Sequence, residues 1–216
     1  MNVLRHAHVE PDQSARIVDA PEGLRLIHHA ACPAVIWQRE PALRFQRWID
    51  ALDPEHLPTA RMTLRPDAVP SAIEHLCTGA RLPEGYERGC LIGDISAMAH
   101  IFADIMGADY LALRLDVVAS NACRKFHRDA ITARLICTYR GTGTQYGLSS
   151  NDDDPAEVLT VPTGAPMILR GTEWPVSPAC GFLHRSPPIE GTGETRLVLV
   201  LDPVADEEPN PNILKH

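Results

Sequence analysis

The chain of 216 residues has few aromatic side chains, a minority of basic ones and no long apolar segment. Aromatic residues make up 5%, so Leu, Val, Ile and Ala must fill most of a core, for which 44% hydrophobic residues suffice. The 28 acidic and 20 basic residues give a formal net charge of −8. Such a charge disfavours nucleic acid or an anionic membrane surface as partner. Because the apolar runs are shorter than the ~20 residues of a membrane span, we expect no membrane segment.

Three further signatures are missing. The N-terminal stretch MNVLRHAHVE has no apolar signal core, and the six cysteines are widely spread without a CxxC pair. We therefore expect free thiols and a cytoplasmic protein. Residues 141–147 are rich in Gly but lack the GxGxxG spacing, so no dinucleotide-binding fingerprint is present.

The hydrophobic pattern changes its period near residue 110. A short strand is predicted at 34–37, and apolar residues at intervals of three and four predict helices over 41–52, 70–82 and 90–108. Afterwards Leu111, Leu113 and Leu115 alternate with other residues, as in a strand. We predict strands over 110–118, 131–140, 157–161, 166–170, a short piece ending at His184, and 195–202.

Short strands separated by Pro and Gly, with no helices between them, favour an antiparallel roll of two sheets. We therefore predict an α+β fold whose core, residues 110–204, is a double-stranded β-helix (jelly-roll, cupin-like). An N-terminal helical layer over residues 1–109 packs on this core, and residues 205–216 form a polar tail. The whole is expected to be one compact domain.

A His-x-Asp pair, His127 and Asp129, precedes the second long strand. On an extended segment, residues two apart leave on the same face, so an imidazole and a carboxylate can meet at one ion. With His184 as third ligand, the set is the two-His-one-carboxylate arrangement of non-haem Fe(II) oxygenases. Arg196 can bind the far carboxylate of a dicarboxylic co-substrate bidentately.

The stretch CRKFHRDAITARLICTYRGTGTQY (123–146) resembles the HxD region of prolyl-hydroxylase-type Fe(II)/2-oxoglutarate dioxygenases. Residues 161–169 are similar to their next strand, and the block from His184 to Arg196 to their distal His, Pro and Arg. Together with GFLHRSPP, RLVLVLD and the region 37–39, the sequence also resembles the bacterial family of unknown function DUF1826.

The dioxygenase resemblance implies Fe(II) and 2-oxoglutarate as cofactors, with Arg196 as co-substrate anchor and Arg134 or Arg185 as substitutes for it. Under this interpretation Tyr139, which shares parity with Asp129 on an unbroken strand, is expected to hydrogen-bond the co-substrate. Trp174 and Tyr146, on adjoining loops, are expected to be parts of the pocket wall. The substrate is then a small molecule or a protein side chain. The resemblance to DUF1826 implies a link to metal homeostasis, through gene neighbourhoods for zinc limitation.

Three alternatives remain open from the sequence. Cys123 and Cys180 each stand four residues before a histidine, and a Cys2His2 set would suit structural zinc. On an extended strand, however, positions four apart lie ~13 Å apart, too far for one ion. The same three ligands could also serve a non-catalytic metal-binding protein, or both histidines could be hydrogen-bonded core residues. The oligomeric state is not determined.

Overall fold

The computed structural model describes residues 15–149, 153–175 and 181–204. The predicted tail and Cys180 lie outside these residues. The α-helices and strands of the described residues are α1 (Leu43–Ala51), α2 (Val69–Gly79), α3 (Tyr86–Met106), β1 (Arg16–Val18), β2 (Ala34–Trp37), β3 (Ala60–Leu64), β4 (Tyr110–Val118), β5 (Ala133–Arg140), β6 (Gln145–Leu148), β7 (Leu159–Thr160), β8 (Pro166–Arg170), β9 (Phe182–Arg185) and β10 (Arg196–Val204).

The three helices match the stretches in which apolar residues recur at helical spacing. Each of them buries apolar side chains against the large sheet or a neighbouring helix, such as Phe45 and Ile49 of α1. Gly107 ends α3 in the left-handed conformation at φ 62°, where a residue without Cβ has no steric penalty. Local pattern therefore specifies the helical elements well.

The strands form two sheets. Seven strands make the large sheet in the order β1-β2-β8-β5-β10-β4-β3, and three make the small sheet in the order β7-β6-β9. All pairings are antiparallel except that of β1 with β2. This confirms a mixed α+β fold. The segment before residue 110 holds α1–α3 and the predicted strand at 34–37 (β2), and it also contributes β1 and β3, which were not predicted, to the large sheet.

The two faces of the large sheet bury different layers. On β5 and β10, Leu135, Cys137, Leu197 and Leu199 face the helices in the main core. The residues that alternate with them along these strands, such as Ile136, Val198 and Val200, belong to a second apolar cluster. This cluster also contains Tyr146 and Phe182 of the small sheet. The period-two alternation of these strands thus separates a helix-facing side from a side that faces the small sheet.

Helix α3 is long and apolar enough to cross a membrane by length and composition alone. In the structure it packs against α1, α2 and the large sheet, and it buries Leu91, Ile95, Ala99 and Phe102 completely. Its apolar composition therefore also suits a helix that is surrounded by protein on several sides.

Candidate metal centre

The irregular segment between β4 and β5 is attached to the small sheet at His127. The His127 N–H donates to the carbonyl of His184 at 3.0 Å, and the His184 N–H donates back at 3.1 Å. This antiparallel bridge adds one extended residue to the edge of β9. The two imidazole rings consequently lie with their centroids 4.5 Å apart.

Asp129 follows two residues later, and its carboxylate reaches both rings. Its Oδ1 lies 3.5 Å from His127 Nε2, and its Oδ2 lies 3.1 Å from His184 Nε2. One ligand atom from each of the three residues can be chosen so that all lie within 4.8 Å of one another. The term ligand triad is used below for His127, Asp129 and His184.

The donor atoms of the ligand triad fit a divalent metal ion. Ligand atoms bound in cis positions at about 2.1 Å from a metal are about 3 Å apart, close to the Asp129–His184 separation. His127 Nδ1 donates to the Lys125 carbonyl at 2.8 Å, which leaves the Nε2 lone pair facing Asp129. Asp129 Oδ2 is buried without a well-aligned hydrogen bond, and so is His184 Nδ1. An ion would satisfy the carboxylate oxygen.

The protonation states of the ligand triad follow from its burial and mutual contacts. Burial alone raises the pKa of Asp129, but the close contacts with His127 and His184 and the charge of Arg134 outweigh it and lower the pKa far below its usual value. The Asp129 contact raises the pKa of His127, whereas burial lowers the pKa of His184. A carboxylate that stays ionised beside a neutral imidazole is a suitable pair of metal ligands.

The ligand triad opens into a cavity of about 140 Å³ between the two sheets. Its floor is the face of the large sheet that is turned away from the helices, and it contains Ile136, Val198 and Val200 together with charged residues of β4, β5 and β10. Arg196, the first residue of β10, lines the same cavity. The site therefore combines three candidate metal ligands with a buried cation.

Arg196 is only 2% exposed and forms no ion pair within residues 15–149, 153–175 and 181–204. Its Nε donates to the Thr142 carbonyl at 2.6 Å, and its Nη2 donates to Thr138 Oγ1 at 3.3 Å. Burial lowers the pKa of Arg196 to about 10, a value at which the guanidinium is still charged near neutral pH. A buried cation without a carboxylate partner is a site for an anion.

The two substitute anchors have other contacts. Arg134 lies 2.6 Å from Asp129 Oδ2 and donates to both oxygens of Asp202 at 2.7 Å. Arg185 lines the cavity, donates to Gln145 Oε1 at 2.8 Å and lies over the ring of Phe126. Of the three arginines proposed from the sequence, Arg196 is the one whose guanidinium forms neither an ion pair nor a contact with a side-chain amide or aromatic ring within the described residues.

The expectation that Tyr139 contacts the co-substrate is wrong. Residues 129–132 do not continue β5, so the parity with Asp129 that supported it is lost. Tyr139 faces the helices, packs edge-on against Phe45 and donates its hydroxyl to Asp94 at 2.8 Å. It lines a different cavity, with Arg39 and Asp94, on the opposite face of the sheet.

Trp174 and Tyr146 do not line the cavity of the ligand triad either. Trp174 packs on His28 and under Arg170, on the helix-facing side. Tyr146 pairs with His184 across the small sheet but stacks on Phe182 within the second apolar cluster. Both aromatic rings thus contribute to packing and not to the wall of the cavity.

Two residues that support the ligand triad, Asp202 and Gly171, were not identified from the sequence. Asp202 binds Arg134, and its place on the cavity side of β10 follows from the alternation of that strand. Gly171 lies against the segment that carries Asp129, where a Cβ would be 2.0 Å from the Ile131 carbonyl oxygen and 2.7 Å from that of Asp129. No pattern in the sequence signals this close approach, because it joins residues of distant segments.

Cys123 is exposed and lines the cavity, yet it does not belong to the group of converging ligand atoms. Its carbonyl accepts a hydrogen bond from Ser186 N at 2.9 Å. The other cysteine of the Cys2His2 alternative, Cys180, lies outside the described residues.

Comparison with known proteins agrees with this architecture. A family model described as "Protein of unknown function (DUF1826)" matches residues 18–202. The chain belongs to this family. A comparison of this DUF1826 protein with curated proteins gave no match.

Among solved structures, the DUF1826 chain is similar to dioxygenase for auxin oxidation 1 from Arabidopsis thaliana, determined as a binary complex with 2-oxoglutarate. The TM-score is 0.54 at 10% identity, covering 90% of this chain and 93% of that chain. The rice dioxygenase for auxin oxidation matches at a TM-score of 0.48 and 13% identity, over 89% and 83% of the two chains. Hydroxypropylphosphonic acid epoxidase from S. wedmorenis matches 43% of this chain and 42% of its own, at 16% identity and a TM-score of 0.30. At these identities the first likeness shows the fold alone.

Proposed function

We propose that this DUF1826 protein is a non-haem Fe(II)/2-oxoglutarate-dependent oxygenase. His127, Asp129 and His184 are the metal ligands, and Arg196 binds the distal carboxylate of 2-oxoglutarate. The substrate to be hydroxylated is a small molecule or a protein side chain. In this proposal the two facing sheets are a double-stranded β-helix, which the similarity to the Arabidopsis dioxygenase supports at the level of the fold.

One observation carries the proposal: a two-His-one-carboxylate cluster and a buried arginine without a carboxylate partner line the same cavity. Either feature alone has a structural explanation. Hydrogen-bonded histidines and buried arginines occur in many cores, but burial of an uncompensated guanidinium is costly. A dicarboxylate that reaches from a metal at the ligand triad to Arg196 would neutralise that charge.

The chain's own residues have distinct roles in this scheme. His127 and His184 would hold the metal ion through Nε2 atoms and Asp129 through its carboxylate. Arg196, held by the Thr142 carbonyl and Thr138, orients an anionic co-substrate. Val198, Val200 and Ile136 form apolar walls that limit water around the reacting groups. When bound, Fe(II) with 2-oxoglutarate supplies the oxidising chemistry.

Anaerobic titration with Fe(II), with and without 2-oxoglutarate, tests the proposal. We expect a visible charge-transfer band that requires both the metal and 2-oxoglutarate and that is lost in His127→Ala. Cys123→Ser is the matched control, because this residue lines the cavity without belonging to the ligand triad, and it should keep the band. A wild-type protein that gives no band would contradict the proposal.

Release of succinate from 2-oxoglutarate then separates an oxygenase from a non-catalytic metal-binding protein of the same fold. Metal-dependent succinate release supports turnover. A metal-loaded protein that binds 2-oxoglutarate but never releases succinate, even with candidate substrates, would favour the binding protein. Metal analysis then shows whether the bound metal is zinc or iron. Zinc lost on Cys180→Ser would indicate the Cys2His2 site.

A further inference from the structure

Four charged side chains of alternating sign form a continuous row beside the ligand triad: Asp129, Arg134, Asp202 and Arg114. All of them except Asp202 line the cavity. Arg134 Nη1 lies 2.6 Å from Asp129 Oδ2. Its Nε and Nη2 donate to the two oxygens of Asp202, each at 2.7 Å. Arg114 Nη2 completes the row at 3.8 Å from Asp202. The side chains of Asp129, Arg134 and Asp202 are all less than a fifth exposed, so solvent screens these contacts only weakly.

The donors of Arg134 are directed at protein carboxylates. One edge of the guanidinium binds Asp202 bidentately, and the remaining nitrogen contacts Asp129. A co-substrate carboxylate could bind Arg134 only by displacing one of these ion pairs. Arg196, in contrast, gives its donors to a backbone carbonyl and a hydroxyl and forms no ion pair among the described residues. Arg134 and Arg196 therefore have different tasks.

Asp129 needs an external support because its backbone is irregular. His127 is held by the bridge to β9 and His184 belongs to β9 itself, whereas Asp129 lies in neither a strand nor a helix. Its carbonyl accepts a hydrogen bond from Thr172 N at 2.9 Å, but that contact does not restrict the carboxylate. Besides the two histidines of the ligand triad, the carboxylate is contacted by Arg134, whose side chain starts from a central strand.

The support behind Arg134 is rigid. Arg134 and Asp202 immediately flank Leu135 and Leu201, which are register partners in the antiparallel pairing of β5 with β10. Both charged side chains consequently point to the cavity side of adjacent central strands. Their bidentate contact fixes the guanidinium relative to the sheet.

We propose that Arg134 is a positioning residue, fixed by Asp202, that holds the Asp129 carboxylate in the orientation needed to bind a metal ion. The proposal rests on the proposed function only in requiring a metal ion at the ligand triad. Arg134 contacts a metal ligand and not the metal, the co-substrate or the substrate. Its loss is expected to weaken metal binding by about 10- to 100-fold, the usual effect of removing a partner of a metal ligand.

The dissociation constant for Co(II), measured anaerobically by titration of the visible absorption, tests this role without any turnover. We expect Arg134→Met and Asp202→Asn each to raise the constant by about tenfold or more and to alter the absorption of the bound Co(II). Asp202→Asn is the milder change, because it leaves Arg134 and Asp129 in place and removes only the ion pair that fixes the Arg134 guanidinium. Arg134→Lys keeps the charge but cannot bridge two carboxylates, so its constant should fall between those of the wild type and Arg134→Met.

Arg140→Met is the matched control. Arg140 ends the same strand, is partly buried and donates to the Leu52 carbonyl at 2.7 Å, far from the ligand triad. The Arg140→Met variant should bind Co(II) with the affinity of the wild type and with an unchanged absorption spectrum. Thermal unfolding followed by circular dichroism identifies any variant that fails to fold.

Two outcomes distinguish the positioning role of Arg134 from the proposed function. If the wild type binds Co(II) and folded Arg134→Met and Asp202→Asn bind it with the same constant and spectrum, the positioning role is overturned and the metal site stands. If the wild type binds neither Co(II) nor Fe(II), the metal site itself is overturned, and the positioning role with it.

Discussion

At the scale of single residues, Arg134 and Arg196 both line the cavity but differ in how their charge is compensated. Arg134 is surrounded by Asp129 and Asp202, and these contacts outweigh the effect of burial and raise its pKa. Arg196 forms no ion pair among the described residues, and burial lowers its pKa despite the opposing effect of the Glu194 charge. The sequence offered both as anchors for an anion. Because neighbouring carboxylates already compensate the charge of Arg134, Arg196 is the better candidate for binding an anion.

Arg196→Met is expected to weaken binding of 2-oxoglutarate to the Fe(II)-loaded protein by at least about tenfold, because a charge-assisted bidentate contact is worth about 1.5–3 kcal/mol. Binding of Fe(II) itself should change little, since Arg196 does not contact the ligand triad. The measurement is a titration of the charge-transfer band with 2-oxoglutarate.

Arg185→Met serves as the comparison, because Arg185 lines the same cavity but interacts with Gln145 and Phe126. Its affinity for 2-oxoglutarate should stay near that of the wild type. If Arg185→Met weakened binding and Arg196→Met did not, the anchor would be Arg185.

Cys137 on β5 and Cys123 on the segment between β4 and β5 are expected to differ in the reactivity of their thiols. Cys137 is fully buried on the helix-facing side of β5, and burial raises the pKa of its thiol to about 12. Cys123 is exposed at the cavity. Because the thiolate is the reactive form, the two thiols should be alkylated at very different rates.

Iodoacetamide at pH 8, followed by peptide mass spectrometry, is expected to modify Cys123 in the native protein and to leave Cys137 unmodified until denaturant is added. Cys123→Ser controls for the assignment of the modified peptide. Rapid labelling of Cys137 in the native protein would show that β5 is accessible and would contradict the packing of α1 and α3 over it.

At the scale of elements, the position of Asp129 depends on the turn that follows β8. Gly171 N donates to the Thr132 carbonyl, Thr172 N to that of Asp129, and Glu173 N to that of Ile131, at 2.9 to 3.1 Å. The two segments are so close that only a residue without Cβ fits at position 171. This turn therefore supports the loop that carries one metal ligand.

Gly171→Ala should displace this loop, because the added Cβ would meet backbone oxygens that cannot rotate away as a side chain could. We expect a loss of stability of roughly 1–3 kcal/mol, the range for overpacking, together with weaker Co(II) binding. Urea unfolding and Co(II) titration measure the two effects.

Gly93→Ala is the matched control, since Gly93 is exposed on α3 and a Cβ there meets nothing within 4 Å. It should be neutral or stabilise the protein by up to about 1 kcal/mol through its higher helix propensity. Wild-type stability and metal affinity in Gly171→Ala would show that the loop adapts without cost.

At the scale of the whole molecule, the ligand triad connects parts of the chain that are distant in sequence. His184 belongs to the small sheet, while Asp129 is tied through Arg134 and Asp202 to the large sheet. A metal ion bound there would cross-link the two sheets around the cavity. Binding to the folded state alone then stabilises the whole fold.

Co(II) at about 100 times its dissociation constant is expected to stabilise the wild type by about 2.7 kcal/mol. For a chain of this size, that corresponds to a rise in Tm of about 5–10 °C. The shift should vanish in His184→Ala and persist in Cys123→Ser, as judged by thermal unfolding against an EDTA-treated sample. A shift that depended on Cys123 instead would support a cysteine-containing site.

Local pattern in the sequence was sufficient for most elements. The helical spacing in 41–52, 70–82 and 90–108 and the alternation in 110–118 and 131–140 predicted α1–α3, β4 and β5 within a few residues. Strands β1, β3 and β6 were not predicted, because they are short and their pairing partners, rather than their own composition, make them strands. The dioxygenase and DUF1826 resemblances were also readable from short motifs, and the family is confirmed over residues 18–202.

The sequence by itself therefore determined the helices, the central strands, the family and the His-x-Asp pair, since each depends on residues that are close along the chain. Only the tertiary structure decided which distant residues meet that pair. It brought His184 against His127 through a backbone bridge, and it turned Tyr139 to the opposite face because residues 129–132 interrupt the strand. It also paired Arg134 with two carboxylates while leaving Arg196 without one, because charge compensation depends on strand register, which composition and spacing do not specify.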